Sequence, residues 1–136
     1  MYEFFDHTAD LGLRVRSTSL NGLFEDAAKA LFAAIVDGLD SVRRENELEI
    51  EIVGTDREYL LFDWLRELLY RFEVDHVLLS KFQVEVGEAG LKAKAWGEPI
   101  DAARHVLSHE VKAITYHALR VERVGEEWIA EVIVDI

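Results

Sequence analysis

The chain has 136 residues, a formal net charge of −12, a hydrophobic fraction of 50%, a charged fraction of 31% and no cysteine. That length fits a single domain over residues 1–136 that buries about two-thirds of the surface of its unfolded chain, and the composition is that of a soluble folded protein rather than a disordered one. The missing cysteine excludes disulfides, thiolate metal sites and thiol nucleophiles. The acid excess disfavours direct binding to a phosphate backbone, while leaving solubility, cation binding or a basic partner protein open. With no apolar run near the roughly 18 residues that span a bilayer and no basic, then apolar leader, a cytoplasmic protein without membrane contact is expected.

The opening Asp6-His7-Thr8-Ala9-Asp10 reads as a loop before a strand in which Leu11, Leu13 and Val15 alternate with Gly12, Arg14 and Arg16. Ser19 is placed to cap a helix with apolar positions at Leu20, Leu23, Phe24, Ala27, Leu31, Phe32 and Ile35, ending near Gly38. Residues 43–53 alternate again, with Leu48, Ile50 and Ile52 on one face and Glu47, Glu49 and Glu51 on a solvated one. Thr55 and Glu58 have the spacing of a capping box for a second helix over residues 56–73. Tyr59, Phe62, Leu65, Leu68, Leu69 and Phe72 form its apolar stripe, broadened by Leu61, Trp64 and Tyr70 into the pattern of a central core helix.

A hairpin follows, its strands marked by Phe82, Val84 and Val86 and by Leu91, Ala93 and Ala95; the alanines predict close packing over the second strand. Residues 101–108 read as a short connection, and two long strands, about 110–123 and 127–135, close the chain across Gly125-Glu126. This order of helices and adjacent antiparallel strands predicts an α+β fold with a mostly antiparallel or mixed sheet and two main helices.

Nucleophile elbows, phosphate-cradling glycine loops and dinucleotide fingerprints are all missing. What remains is a set of acids and imidazoles near the two chain ends. Asp6, His7 and Asp10 could aim oxygens and a ring nitrogen at one cation, or could simply form turns. Asp135 breaks an apolar strand beside Ile136, and an anion there needs a cation, a basic side chain or open solvent. If the first and last long strands are neighbours, these acids meet. Glu110 to His117 is the densest polar interleaving on an expected strand. Period two would put Glu110, Lys112, Ile114 and Tyr116 on one face, with Glu110 as a possible ion-pair mate of Lys112. His105 and His109 have helical metal-ligand spacing without an accompanying acid.

Five segments, spread over the whole chain in order, resemble the archease family: His7-Thr8-Ala9-Asp10-Leu11-Gly12, Leu23-Phe24-Glu25-Asp26-Ala27-Ala28, Trp64-Leu65-Arg66-Glu67-Leu68-Leu69-Tyr70, Val111-Lys112-Ala113-Ile114-Thr115-Tyr116-His117 and Ala130-Glu131-Val132-Ile133-Val134-Asp135-Ile136. The resemblance implies a non-catalytic assistant of an RtcB-type RNA ligase, the enzyme that joins tRNA exon halves during splicing. The assistant promotes guanylate transfer from GTP to the ligase's active-site histidine and keeps the ligase turning over. It also implies a divalent-metal site, typically calcium, at Asp10 and Asp135 with an oxygen of Ile136, and a role in assistance for Lys112. His7, Glu110 and His117 match motif positions without an assigned role. A metal-dependent hydrolase and a chaperone-like binding module with an exposed apolar patch are the competing classes.

Overall fold

A computed structural model describes residues 1–136 as ten strands, two α-helices and a short 3-10 turn. The strong alternation of residues 11–16 becomes β2 (Asp10–Ser17), and its antiparallel partner in the sheet is β10 (Glu127–Asp135), with pairs running from Leu11 opposite Val134 to Ser17 opposite Trp128. The expected neighbouring of the first and last long strands therefore holds. The opening residues are not a loop, however. Tyr2–His7 forms an edge strand, β1, that pairs with β2 through a turn containing only Thr8 and Ala9. Consecutive Phe4 and Phe5 hide its period of two, and its stability comes from packing: the Phe5 ring lies so close over Gly12 that a Cβ there would be 2.3 Å away, and the Arg14 guanidinium sits 4.5 Å from the ring centroid.

Helix α1 (Leu20–Ile35) begins at Ser19, whose hydroxyl accepts from the Gly22 amide at 3.0 Å. It stops at Ile35, short of Gly38, because Val36–Asp37 (β3) pairs with Val106–Leu107 (β7). β4 (Asn46–Val53) starts three residues later than its alternation suggests; the Arg43 amide is instead bonded to the Glu98 carboxylate. Helix α2 (Arg57–Asp75) is capped by Asp56, which accepts from the amides of Glu58 and Tyr59 at 2.9 and 3.0 Å, rather than by the Thr55–Glu58 box. Leu61, Trp64, Leu65 and Leu68 are its buried stripe, while Tyr59 and Tyr70, assigned to the stripe by periodicity, are exposed.

The hairpin is β5 (Val77–Val86) and β6 (Gly90–Pro99), and β4 joins it on the far side of β6. The outer face sets Glu49 opposite Lys94 and Glu51 opposite Lys92. Behind the small Ala93 and Ala95, Phe82 stacks on Phe32 of α1 and meets Trp64 of α2 edge-on, at 6.0 and 6.3 Å. The Trp64 indole N–H donates to the Phe24 carbonyl at 3.0 Å, satisfying the polar atom of the largest buried side chain. Glu25 and Asn21 of α1 accept from the Val84 and Val86 amides, both at 2.8 Å, which closes the free edge of β5.

The expected strand over residues 110–123 is broken into β8 (Ala113–Ile114) and β9 (Arg120–Val124), both on β10. Between them the Thr115 amide and hydroxyl both bond the Ile133 carbonyl, Tyr116 turns onto α2, and the chain reverses through Ala118 at φ 53°. The four expected face-mates are separated accordingly: Ile114 is buried, whereas Glu110, Lys112 and Tyr116 are exposed.

The result is a five-stranded antiparallel sheet (β1-β2-β10-β8, with β9 also on β10), a three-stranded one (β4-β6-β5) and the β3–β7 pair, an α+β fold with α1 packed on β2 and β5. One continuous cluster of 34 buried residues runs through both sheets and both helices. Across the outside of the larger sheet, Glu3, Arg14, Glu131, Arg120 and Glu122 form a ladder of alternating charge from four adjacent strands. Burial raises the pKa of Glu131, but hydrogen bonds from Arg120 and Arg14 outweigh it and hold the carboxyl below its usual value.

A buried acid ties the loops together. Glu98 accepts from the Arg43 amide at 2.6 Å and from Arg104, and meets His105 Nε2 at 3.1 Å; His105 Nδ1 accepts from the Asp101 amide at 2.9 Å, which fixes the ring as neutral with its proton on Nε2. Burial pushes the Glu98 pKa up, and the bonds from Arg43, Arg104 and His105 together pull it below the usual carboxylate value. A carboxyl with a folded pKa below its unfolded one stabilises fully above the unfolded value and loses that contribution as pH falls through the folded one.

Stability, followed by thermal melts against pH, is therefore expected to fall on acidification below about pH 4. Glu98→Gln should flatten part of that limb, leave the Glu131 part, and cost about 1–3 kcal/mol at neutral pH. Ala118→Gly and Thr8→Gly, at φ 53° in both cases, should each raise the melting temperature, relieving roughly 1 kcal/mol of left-handed strain.

Candidate functional site

The pairing of β1, β2 and β10 brings the motif residues of both chain ends to one rim. His7 is opposite Asp10 at the end of the β1–β2 ladder, and Leu11 is opposite Val134 at the end of the β2–β10 ladder. One step further in the same register, Asp135 comes opposite Asp10. Leu11 and Val134 are buried, so alternation turns Asp10 and Asp135 together to the other face, where cross-strand neighbours lie side by side. Both acids and Ile136 are half-buried.

Two imidazoles stand beside these acids. His7 Nδ1 lies 3.9 Å from Asp10 Oδ2, beyond a hydrogen bond, and is buried without any partner in the chain. The His117 ring packs on the His7 ring at 5.0 Å between centroids, tilted by 60°. The two loops that carry these rings contain the non-glycine left-handed residues Thr8 and Ala118, so backbone strain is concentrated around the pair. Asp6 is exposed, opposite Leu11 on β1, and outside this grouping.

The Lys112 amide donates to the Asp135 carbonyl at 2.7 Å. Lys112 also lines a neighbouring cleft of about 520 Å³ together with Glu110, His109, Glu73, Phe72 and Ile35. Glu110 and Lys112 share this cleft without the expected ion pair, since the strand that would have put them on one face ends between them and Ile114. His105 and His109 do not form a helical metal pair: residues 101–109 hold no helix, the His105 ring is committed to Glu98 and Asp101, and His109 Nδ1 donates to the Ala34 carbonyl at 3.2 Å.

No three His, Cys, Asp or Glu side chains gather closely enough to cage an ion. What the rim presents is a smaller donor set: two carboxylates on one face and a buried ring nitrogen with nothing bonded to it. Carboxylate oxygens suit hard cations such as Ca2+ or Mg2+, which take six or more oxygens, so such a set fits a cation whose remaining ligands come from water or a partner. The same two acids, lacking an activated nucleophile, suit holding and presenting charge better than covalent catalysis. Sequence reasoning reached Asp10 through its clustering with Asp6 and His7, and Asp135 because it breaks an apolar strand. It did not reach the His7–His117 contact or the aromatic packing of Tyr116, which depend on the turn at residues 115–119.

This arrangement defines a small α+β protein with an acidic, open-ended rim where its terminal strands meet. Residues 2–136 match the Archease protein family (MTH1598/TM1083), and the chain belongs to that family. It is 46% identical over 139 residues to protein archease of Methanopyrus kandleri, covering 99% of both chains, and 43% identical over 140 residues to that of Methanosarcina mazei, covering 99% of this chain and 95% of the other. The solution structure of protein 1598 of Methanobacterium thermoautotrophicum superposes with a TM-score of 0.88 at 37% identity, over 99% of this chain and 98% of that one. The fold is shared with a crystal structure from Thermotoga maritima described as an archease and possible chaperone, at a TM-score of 0.70, 21% identity, and coverage of 100% and 98%. No helix is long and apolar enough to cross a membrane.

Proposed function

We propose that this protein assists an RtcB-type RNA ligase in the cytoplasm, promoting transfer of guanylate from GTP to the ligase's active-site histidine and sustaining turnover without itself catalysing ligation. Membership of the archease family supports the reading. The observation that carries it is the β2–β10 register, whose last pair, Leu11 with Val134, leaves Asp10 and Asp135 one step beyond it on each strand. In this reading Asp10 and Asp135, with an oxygen of Ile136, hold a divalent cation, most simply Ca2+. The bound cation supplies concentrated positive charge to the partner's nucleotide pocket.

The chain's own residues hold and orient this site. Pairing of Leu11 with Val134 fixes the two carboxylates relative to each other, and His7, packed against His117, walls Asp10 from one side. A donor set this small leaves coordination positions for the ligase or its nucleotide to fill, which is how an assistant can act on a partner's metal and nucleotide chemistry. Lys112 and Glu110, lining the adjoining cleft, are placed in this reading as charged contacts to the partner.

Guanylylation of the purified ligase with labelled GTP, with and without this chain and with Ca2+ or a chelator, tests the reading. The chain should accelerate labelling, chelation should weaken the effect, and Asp10→Ala or Asp135→Ala should reduce stimulation by roughly tenfold or more at unchanged melting temperature, as loss of metal-site residues does. Folded variants of both acids that stimulate fully would remove the site from the proposal. Turnover of a phosphoester by the chain alone would identify a hydrolase, and suppression of aggregation of unrelated proteins without any effect on the ligase would identify a chaperone.

A further inference from the structure

The chain holds two asparagines, and one of them, Asn21, is followed by a glycine. Asn-Gly is the dipeptide in which the side-chain amide is most easily attacked by the next backbone nitrogen, because glycine has no side chain to block the approach. Both residues are nevertheless used by the packing at the start of α1. A Cβ on Gly22 would collide with Ser17 Oγ and come within 2.9 Å of Ser19 Oγ, so glycine leaves room for the two hydroxyls. Asn21 Oδ1 accepts from the Val86 amide at 2.8 Å and, with Glu25, closes the free edge of β5. A chemically labile pair therefore sits where α1 is joined to the smaller sheet.

The same contacts hold the pair unreactive. The Gly22 N–H donates to Ser19 Oγ at 3.0 Å, which keeps the attacking nitrogen engaged. Helical backbone at Asn21 also turns that nitrogen out of the plane in which it could close a ring with Cβ and Cγ. Asn21 is exposed, so water reaches the amide as soon as the first turn opens.

We propose that Asn21–Gly22 is a self-modification site gated by the Ser19 cap. When the turn opens, the Gly22 nitrogen bonds to Asn21 Cγ, the Cγ–Nδ2 bond breaks, and the Gly22 proton leaves with the amide nitrogen as ammonia. The succinimide then takes up one water: attack at Cγ gives aspartate, and attack at the backbone carbonyl gives isoaspartate. The two products act oppositely. Aspartate keeps an oxygen for the Val86 amide and places a carboxylate in the first turn of α1, which has no acid of its own. Isoaspartate lengthens the backbone ahead of Gly22, moves that amide off Ser19 and loosens α1 from β5.

Incubation of the folded protein at mildly alkaline pH, well below its melting temperature, followed by peptide mapping with mass detection and an isoaspartate-specific methyl-transfer assay, tests the gate. Product should collect at Asn21, and Ser19→Ala should speed its formation about fivefold, the change in first-turn opening that loss of an ordinary helix cap produces. Ser19→Asp, which restores a capping oxygen, should react no faster than wild type. Asn46, the other asparagine, at the start of β4, reports on opening of the whole fold and should keep one rate in all three proteins. Asn21→Asp should melt no lower than wild type. Equal rates at Asn21 in wild type and Ser19→Ala overturn the proposal, as does Ser19→Asp reacting as fast as Ser19→Ala. Asn46 accelerating in step with Asn21 also overturns it, since the gate would then be global unfolding. So does a lack of product at Asn21 in all three folded proteins when the same chains unfolded in urea deamidate there.

Discussion

The antiparallel pairing of β2 with β10 is the constraint on which the rest of the molecule depends. It joins residues near opposite ends of the chain, buries Leu11, Leu13 and Val15 against Val132 and Val134, and supplies the central ladder onto which β1, β8 and β9 are added. Period-two geometry then sets what can happen at its end. While Leu11 and Val134 face the core, the next pair must face away, and both of its members are aspartates. A one-residue slip of either strand would turn its aspartate to the core and its apolar set outward, so the hydrophobic effect that fixes the register also fixes the rim.

Helix α1 converts this sheet into a domain. Its buried face meets β2 on one side and β5 on the other, and Glu25 and Asn21 bond the amides along the β5 edge. Helix α2 closes the core through Trp64 and then, by stacking Phe62 under Tyr116, draws the chain out of the sheet between β8 and β9. That excursion brings His117 to His7. The Tyr116 stack and the imidazole pair are thus two consequences of one packing event on α2.

The strong net charge is unevenly matched. Glu131 and Glu98 are bonded by two arginines or by an arginine, a histidine and an amide, and both carboxyls are held in the ionised form. Glu3 and Glu122 extend the ladder on the outer sheet face. The rim is different: Asp10 has only the His7 ring, at 3.9 Å, and Lys112, which lines the neighbouring cleft, forms no ion pair with either acid. Charge neutralised by neighbours holds the fold, whereas charge left unmatched at an edge is available to something outside the chain.

Local pattern alone determined much of this. Alternation in residues 11–16, 47–52 and 127–135, the Ser19 cap, the 3.6-residue stripes and the hairpin around Gly87 and Gly90 are short-range signals, and each became the element it implies. Asp135, which breaks an apolar strand, was legible for the same reason, and Asp10 through its clustering with Asp6 and His7. Tertiary structure decided what short-range pattern does not encode. β1 forms because Phe5 packs on Gly12 and Arg14; Asp56 displaces the Thr55 box because its carboxylate accepts two amides; the last polar strand breaks where Tyr116 leaves the sheet to stack on Phe62. Strand and helix periods follow from backbone geometry within a few residues, but the partners of a side chain are fixed only when distant segments pack. Sequence therefore named the two aspartates, and only the β2–β10 register and the turn at residues 115–119 could make them neighbours and set two histidines and a tyrosine stack beside them.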